Sequence, residues 1–364
     1  MSWTEGYLSK RVAEYAMIRV LVAEDSETSC ALLGAILTQD SAIEIIGHAR
    51  NGAEAIAMAR ELKPDLITMD LSMPGIDGFA ATEQIMTATP VPIVVVSAFP
   101  NLTEAEAAAR ALSCGALTVM HKPPGLSAPE YPASARNLIE TVKAMAEVKV
   151  VRRISASRTK VVSSLAVRPR SRPSLLAIAA SIGGPQALQT LLAGLGQSFP
   201  IPILIVQHIA NGIIGELVKW LSASVPLVIK LAEPTEPLLP GLVYFAPDDC
   251  HLGVGFDFRV ILSTAAPING FRPSANFLFE SAARAGGSRT VAAILTGMGD
   301  DGLEGLRAVK RQNGYIIAQD EDTSVVFGMP GTAIKAGIVD DVLPLSTIAQ
   351  KLRQLVKVNS PSEL

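Results

Sequence analysis

The stretch LLAIAASIGGPQAL, residues 175–188, decides the fold of the C-terminal half of this chain. Six apolar residues end at Ser181, and two glycines and Pro185 follow. A short apolar run bounded by turn residues is typical of a strand buried on both faces, and proline is favoured in the first turn of a helix. The stretch therefore predicts a strand, a tight turn and a helix, with Ser181 at the carboxyl end of the strand.

Similar apolar runs recur on the C-terminal side of this stretch. Residues 201–208, 290–299 and 314–320 each contain a run that reads as a buried strand. Helical segments separate these runs, as in a parallel sheet with right-handed crossovers. We predict a doubly wound, mainly parallel sheet, with a β-hairpin insert near residues 242–262.

The N-terminal half repeats this α/β layout. The predicted strands cover residues 18–23, 43–49, 65–70, 92–98 and 116–122. Amphipathic stretches at 26–38, 52–62 and 103–113 separate them and predict helices. The fold class is therefore α/β with two doubly wound, mainly parallel sheets.

The segment between the two halves has a different composition. Residues 150–174 contain seven Lys or Arg, six Ser, two Pro and no acidic residue. Such a composition cannot bury a core, so we predict a basic flexible linker over 150–173, although a nucleic-acid-binding patch is an alternative. The predicted domains are an N-terminal extension (1–16), a first domain (17–149) and a second domain (174–364). The patterning starts at Met17, which is a candidate for the natural first residue.

Composition limits the functional classes. The chain has 364 residues, which suggests two domains, and a net charge of −3, which gives no general attraction to nucleic acid. Its three cysteines are far apart and show no CxxC spacing, so we expect neither disulfides nor a zinc site. No apolar run is long enough to cross a membrane. These features predict a cytoplasmic protein.

Five residues in the first domain stand at the carboxyl ends of predicted strands, the edge where open α/β sheets bind ligands. They are Glu24, Asp25, Asp70, Ser97 and Lys122. The three carboxylates would repel one another without a hard cation, and Mg²⁺ suits oxygen ligands. Asp70 could then accept a phosphoryl group whose oxygens Lys122 neutralises and Ser97 contacts. Any one of these residues could instead be a helix cap, but five such positions together favour phosphoryl chemistry.

The motifs VLVAEDS, DLITMDLSMPGIDGF, IVVVSA and HKPP resemble the receiver domain of two-component response regulators, over residues 18 to about 140. The resemblance implies a flavodoxin-like fold with Asp70 as the phosphoacceptor. It also implies that Glu24 and Asp25 complete the metal site, that Ser97 is the switch hydroxyl and that Lys122 faces the phosphate. Glu24 stands where the family usually has Asp.

A hydroxyl fixed at the end of a strand, before a glycine turn and a helix, suits a nucleophile. The same turn could instead cradle an anion with its free amides, and the stretch alone leaves both readings open. His208 follows another strand at the same edge and is the expected base, with His251 in reserve. An orienting acid is offered by Asp300 or Asp301, which follow a third strand. Together these groups form an acyl-transfer constellation.

The motifs ASIGGP, VQH, GLVYFAPDDCHLGV, FRPSANFLFESAA, AILTGMGDDGLEGL and AQDEDTSVVFGMP resemble the catalytic domain of the CheB family of protein-glutamate methylesterases, over residues 174–357. The resemblance implies a Rossmann-like domain with Ser181 as nucleophile, His208 as base and Asp301 as orienting acid. Asp301 is favoured over Asp300 because the family's aspartate immediately precedes the glycine, here Gly302.

Three further residues are assigned to the oxyanion and the substrate. The backbone amide of Met298 is expected to bind the oxyanion. Ile182, which stands where the family usually has Thr, is expected beside it. Arg272, in the sequence FRPS, is the candidate for holding the substrate segment.

The expected function is therefore a phosphorylation-regulated serine esterase. It would hydrolyse glutamate methyl esters on chemoreceptor cytoplasmic domains, release methanol and also deamidate receptor glutamines. The expected partners are methylated chemoreceptors and a chemosensory histidine kinase, with no nucleic acid and no membrane insertion. Mg²⁺ is expected in the receiver domain and no cofactor in the esterase. The alternative is a response regulator whose degenerate output domain only binds a partner.

Overall fold

A computed structural model describes residues 17–98, 104–146, 148, 172–209 and 211–356. The predicted N-terminal extension and almost all of the predicted linker lie outside these residues. The described residues divide into two compact units, one holding 17–98 and 119–148 and the other 104–118 and 172–356. The domain boundaries given above stay a prediction.

The N-terminal sheet has five strands in the order β2-β1-β3-β4-β5, which is the flavodoxin-like order. Strands β1, β2, β3 and β4 pair in parallel, as predicted. The elements of this half are β1 (Ile18–Ala23), α1 (Glu27–Leu37), β2 (Ile43–Ala49), α2 (Gly52–Leu62), β3 (Leu66–Met69), α3 (Gly78–Ala88), β4 (Ile93–Ser97), α4 (Glu104–Cys114), β5 (Thr118–His121) and α5 (Tyr131–Ala146).

Side-chain caps begin three of these helices. Ser26, Asn51 and Asp77 precede α1, α2 and α3, and each side chain accepts a hydrogen bond from an amide in the first turn. Capping satisfies donors that a helix start leaves without an intrahelical partner. The residues that cap these three helices are therefore not the residues that the sequence predicted as a phosphoryl-transfer site.

The C-terminal sheet has seven strands in the order β14-β13-β12-β6-β7-β9-β8, and all its pairs are parallel. A separate antiparallel pair, β10 with β11, forms a hairpin. The elements are β6 (Leu175–Ala180), α6 (Gly184–Leu195), β7 (Ile203–Gln207), α7 (Ile214–Ser224), β8 (Val228–Leu231), β9 (Leu242–Phe245), β10 (His251–Val254), β11 (Val260–Ser263), α8 (Ala275–Gly286), β12 (Thr290–Ile294), α9 (Leu303–Arg311), β13 (Tyr315–Gln319), α10 (Met329–Lys335), β14 (Asp341–Leu343) and α11 (Leu345–Val356).

Strand β6 lies in the middle of this sheet and is buried along its whole length. Leu176, Ile178 and Ala180 face one hydrophobic core, and the alternate residues face the other. Helices cover both faces, so a continuous apolar run replaces the polar–apolar alternation of a half-exposed strand. The α/β fold class with two doubly wound sheets is thus confirmed.

The position of the hairpin is a correction to the sequence-based prediction. The segment 242–245 is β9, which pairs in parallel with β7 and β8 in the main sheet. The hairpin is instead formed by residues 251–254 and 260–263. Strands β9 and β10 are separated by only five residues, and each has only four residues. In so short a segment, the sequence pattern of a buried parallel strand does not differ from that of a hairpin strand. The edge strands β8 and β14 were not predicted.

The three cysteines are free. Among the described residues, no helix combines the length and the apolar character that crossing a membrane requires.

Candidate functional site

Ser181 occupies the carboxyl end of β6, next to the point where the strand order reverses. The strand β12 lies on one side of β6 and β7 on the other, so successive crossovers leave in opposite directions there. Such a switch point opens a crevice beyond the strand ends, where α/β proteins bind ligands. The Ser181 amide donates to the carbonyl of Thr296 at 3.0 Å, which fixes the serine between the two strands.

The two glycines after Ser181 are required by the turn. Gly183 has a positive φ of 75°, and a Cβ there would collide with Val325. A Cβ on Gly184 would collide with the side-chain amide of Gln207. The abrupt turn therefore needs residues without side chains, and it leads directly into α6.

His208 follows β7 beside the serine. The last residues of the two strands, Ala180 and Gln207, are paired, and the His208 amide donates to the Ala180 carbonyl at 2.9 Å. The Nε2 atom of His208 lies 2.9 Å from the Oδ2 atom of Asp301. Both ring nitrogens are buried and neither makes a well-aligned hydrogen bond among the described residues, but only Nε2 has an acid, Asp301, in contact with it. The His208 side chain is only 10% exposed, so its ring is held in place by protein atoms.

Asp301 is held at the N-terminus of α8. Its Oδ1 atom accepts hydrogen bonds from the Ser274 hydroxyl and the Asn276 side-chain amide, both at 2.8 Å. Its Oδ2 atom accepts one from the Ala275 amide at 2.6 Å. The helix N-terminus adds a favourable dipole for a carboxylate. Burial would raise the pKa of Asp301, but the interactions with His208 and Ala275 lower it more, so the pKa lies below its usual value. Asp301 is therefore held as an anion.

The two alternatives that the sequence left open are separated by this geometry. Asp300 is exposed, whereas Asp301 is buried against His208. His251 is fully buried, and both its ring nitrogens are occupied by the Ala266 carbonyl and the Ser274 amide. The structure brings together His208 and Asp301, and it gives His251 a structural environment.

The other residues assigned to the reaction surround this group. The amides of Ile182 and Met298 make no backbone hydrogen bond among the described loop residues, so both are available as donors. Met298 is also exposed. Arg272 pairs with Asp249 at 3.3 Å and donates to two carbonyls, at residues 264 and 265. Its guanidinium is therefore already partly engaged.

Two supporting residues escaped the sequence analysis. Gln207 is buried and its Nε2 atom donates to the carbonyls of Ser181 at 2.8 Å and His208 at 2.9 Å. The Thr296 hydroxyl donates to the Ile182 carbonyl at 2.9 Å and accepts from an amide in the loop that precedes α10. Both are polar residues at the ends of otherwise apolar strands, which is the signal that could have identified them.

A second group of polar residues lies at the carboxyl edge of the N-terminal sheet. Strand order reverses between β1 and β3, and the acidic residues follow these two strands. Carboxylate oxygens of Glu24, Asp25 and Asp70 lie within 4.8 Å of one another. Lys122 lies 2.9 Å from Asp70 and donates to Glu24 at 2.9 Å. The Ser97 hydroxyl donates to the Oδ1 atom of Asp70 at 2.7 Å. All five predicted residues thus converge.

The charges in this second group suit a divalent cation. Burial raises the pKa of Glu24, since its carboxylate has lost water and faces Asp70, with Lys122 compensating only in part. Burial alone would lower the pKa of Lys122, but its hydrogen bonds to Glu24 and Asp70 raise it. Three carboxylates face one ammonium group, so negative charge is in excess. An all-oxygen donor set with excess negative charge fits Mg²⁺.

Two known families match the chain, one over each of the two sheets. Residues 176–352 match the family described as CheB methylesterase, and residues 20–128 match the response regulator receiver domain. The two matches cover the two sheets in turn.

Similar proteins extend over nearly the whole chain. A protein-glutamate methylesterase/protein-glutamine glutaminase from Myxococcus xanthus is 49% identical over 92% of this chain and 96% of its own length. One of the same name from Anaeromyxobacter dehalogenans is 45% identical over 92% of this chain and 98% of its own. The crystal structure of the Thermotoga maritima CheB methylesterase catalytic domain is 41% identical, covers 51% of this chain and 100% of that chain, and has a TM-score of 0.49.

The expected activity, that of a protein-glutamate methylesterase with a receiver domain, is thereby confirmed, and the alternative of a degenerate output domain is not supported, because the full-length relatives are named as enzymes. The chain belongs to the CheB family of protein-glutamate methylesterases, hydrolases that carry a response regulator receiver domain ahead of the methylesterase domain.

Proposed function

We propose that Ser181, His208 and Asp301 carry out ester hydrolysis as nucleophile, base and orienting acid. The observation that carries this proposal is the 2.9 Å contact between His208 Nε2 and the buried Asp301 carboxylate. A proton held at Nε2 by the Asp301 contact leaves the lone pair of the ring at Nδ1. His208 would therefore accept the serine proton at Nδ1, and Asp301 would stabilise the imidazolium that forms.

The reaction proceeds in two steps. The Ser181 hydroxyl loses its proton to His208 Nδ1 as its oxygen attacks the ester carbonyl, and the same proton then passes to the departing methoxide, which leaves as methanol. In the second step, water loses a proton to His208 and attacks the acyl-serine. Collapse of this intermediate returns that proton to the Ser181 oxygen and releases the glutamate side chain. The same acyl-enzyme would form from a glutamine side chain, with ammonia leaving, so deamidation requires no further group.

Charge on the tetrahedral intermediate needs preorganised donors. The free amides of Ile182 and Met298 follow β6 and β12, the two strands that flank the switch point. Because the loop of Ile182 is tied to Thr296 through its carbonyl, the two loops are held together. Backbone donors of this kind contribute through fixed geometry, so a side chain at residue 182 is not needed for the hydrogen bond.

The proposed substrate is a glutamate γ-methyl ester on the cytoplasmic domain of a chemoreceptor. The similar proteins carry names that specify protein-bound glutamate esters and glutamines. An enzyme acting there works in the cytoplasm, in agreement with the free cysteines. Arg272 would contact the substrate segment by exchanging its Asp249 partner for the substrate.

We also propose that Asp70 accepts a phosphoryl group from a chemosensory histidine kinase. Glu24, Asp25 and Asp70 would hold Mg²⁺, which supplies charge neutralisation for the phosphoryl oxygens. Lys122 already lies beside Asp70 and would neutralise a further oxygen. The Ser97 hydroxyl would exchange its hydrogen bond with Asp70 for one with the phosphoryl group, so that phosphorylation would change the position of the end of β4.

The test measures methanol released from receptor cytoplasmic fragments whose glutamates carry γ-methyl esters. The wild-type chain should release methanol without added metal and faster after treatment with acetyl phosphate and Mg²⁺. A fragment carrying glutamine at the same positions should release ammonia. Methanol release from unrelated methylated helices at the same rate as from the receptor fragment would contradict the receptor as substrate.

A further inference from the structure

The ring of Phe271 lies flat against the ring of His208. The two ring centroids are 4.5 Å apart and the planes differ by 17°. The contact with Asp301 fixes one nitrogen of the imidazole, but a ring held at one atom can still tilt. A flat neighbour removes that freedom, because tilting the imidazole would break the stacking contact.

The backbone around Phe271 fixes its ring in turn. Ile268 and Phe271 exchange two backbone hydrogen bonds, each of 3.0 Å. The residues between them, Asn269 and Gly270, have positive φ values of 49° and 86°. These are the features of a two-residue type I′ turn, for which Asn-Gly is the preferred sequence. Phe271 is therefore placed by a tight turn and not by a mobile loop end.

The segment that follows this turn contacts the other partner of His208. Ser274, Ala275 and Asn276 all donate hydrogen bonds to Asp301. One short stretch, 268–276, thus holds the acid through its α8 end and the base through Phe271. The relative position of His208 and Asp301 is set by a single continuous piece of backbone.

We infer that Phe271 is a positioning residue for the esterase reaction: its aromatic face orients the His208 ring so that Nδ1 is directed for proton transfer with Ser181. This inference rests on the proposed role of His208. Phe271 touches neither the acyl group nor the leaving group in this scheme. It acts by narrowing the orientations of the base, and a small misplacement of a reacting group can cost a hundredfold in rate.

The experiment compares variants that keep or remove the flat face. Phe271→Leu and Phe271→Met fill similar space without a planar surface, whereas Phe271→Tyr keeps it. We expect the Leu and Met variants to lose about ten- to a hundredfold in kcat for methanol release, with KM changed less than about twofold. We expect Phe271→Tyr to stay within about threefold of wild type on the same grounds.

A matched control is provided by the second histidine–phenylalanine stack in this unit. Phe277 stacks on His251 with centroids 5.0 Å apart and planes differing by 23°. Phe277→Leu removes an equivalent contact from a histidine whose nitrogens are both engaged elsewhere. It should change thermal stability about as much as Phe271→Leu while leaving kcat close to wild type.

A spectroscopic measurement distinguishes a change in the orientation of the His208 ring from a general loss of stability of the domain. With histidine labelled by ¹⁵N, the Nε2 proton of His208 should exchange with water faster in Phe271→Leu than in wild type or in Phe277→Leu. Wild-type kcat in both the Leu and Met variants would overturn the inference. A Tyr variant that folds but is as slow as the Leu variant would also overturn it.

His208→Ala distinguishes failure of this inference from failure of the proposed function. If His208→Ala is inactive while Phe271→Leu is unimpaired, Phe271 has no positioning role and the triad stands. If His208→Ala keeps wild-type activity, the proposed mechanism fails, and this inference fails with it. In the double variant, Phe271→Leu should add no further loss to that of His208→Ala, because a base that is absent cannot be oriented.

Discussion

His208 and Asp301 meet through Nε2 and Oδ2, at 2.9 Å, and not through the Nδ1 atom of the histidine. In the familiar serine-protease arrangement the acid holds Nδ1 and Nε2 faces the serine. In the mechanism proposed for this chain the two nitrogens exchange roles, so the proton acceptor would lie one ring position closer to the backbone. The same three residue types would then serve one chemistry from a different ring orientation, which the local geometry decides.

Removing the nucleophile or the base should abolish hydrolysis. We expect Ser181→Ala and His208→Ala each to lower kcat for methanol release by ~10⁴-fold or more, since each is needed for the same covalent step. The circular dichroism spectrum of each folded variant should match that of wild type, because both side chains lie at strand ends outside the apolar core. Methanol release by Ser181→Ala at close to the wild-type rate would exclude the serine mechanism.

The two neighbouring aspartates give a direct test of which acid acts. Asp301→Asn should lower kcat by about 10³- to 10⁴-fold, because an amide at this position cannot stabilise the imidazolium. Asp300→Asn serves as the control and should stay near wild type, since its side chain is exposed. If the Asp300 variant were the impaired one, the assignment of the acid would be wrong.

Residues that end strands were the part of the site that the sequence predicted well. Ser181, His208 and Asp70 each stand at the carboxyl end of a buried strand, and parallel strands bring these ends to one edge of a sheet regardless of the paths of the loops. The predicted bounds of two strands, 18–23 and 43–49, also agree with those of β1 and β2 in the structure.

Contacts that depend on the paths of loops were not predictable in this way. The stack of Phe271 on His208 joins residues far apart in sequence, and nothing in either local pattern indicates it. The bonds from Ser274 and Asn276 to Asp301 are of the same kind. An Asn-Gly pair at 269–270 does indicate a tight turn, but it cannot show what the next ring packs against.

The hydroxyl of Ser274 should matter for both activity and stability. Ser274→Ala leaves Oδ1 of the buried Asp301 with one fewer donor, so we expect a loss of about 1–3 kcal/mol in the free energy of unfolding and a severalfold lower kcat. Ser281→Ala is the matched control: this buried hydroxyl on the same helix bonds to backbone at residues 254 and 278 and not to Asp301. It should lower stability while leaving kcat unchanged. An equal loss of kcat in both variants would show that the loss comes from general destabilisation and not from the Ser274–Asp301 hydrogen bond.

The lowered pKa of Asp301 predicts how stability depends on pH. A carboxyl whose pKa is lower in the folded state stabilises the protein above its unfolded pKa, and this contribution disappears as pH falls through the folded value. The stability difference between wild type and Asp301→Asn should therefore shrink as the pH falls below about 4. Urea unfolding in a Trp3→Phe background, followed by the fluorescence of Trp220 in α7, reports this unit alone. A difference that grows on acidification would contradict the lowered pKa.

Variants of Asp70 and Ser97 should separate phosphorylation itself from the acceleration of methanol release that follows it. Asp70→Asn removes the attacking carboxylate, so acetyl phosphate with Mg²⁺ should neither label the protein nor accelerate methanol release. Ser97→Ala keeps that carboxylate but loses the hydroxyl that now donates to it at 2.7 Å, so labelling should persist while most of the acceleration is lost. The measurements are incorporation of ³²P and methanol release, each with and without EDTA, and the unstimulated rate of both variants is the control. Full stimulation of Ser97→Ala would show that the change in β4 does not pass through this hydroxyl, and labelling of Asp70→Asn would place the phosphoryl group on another residue.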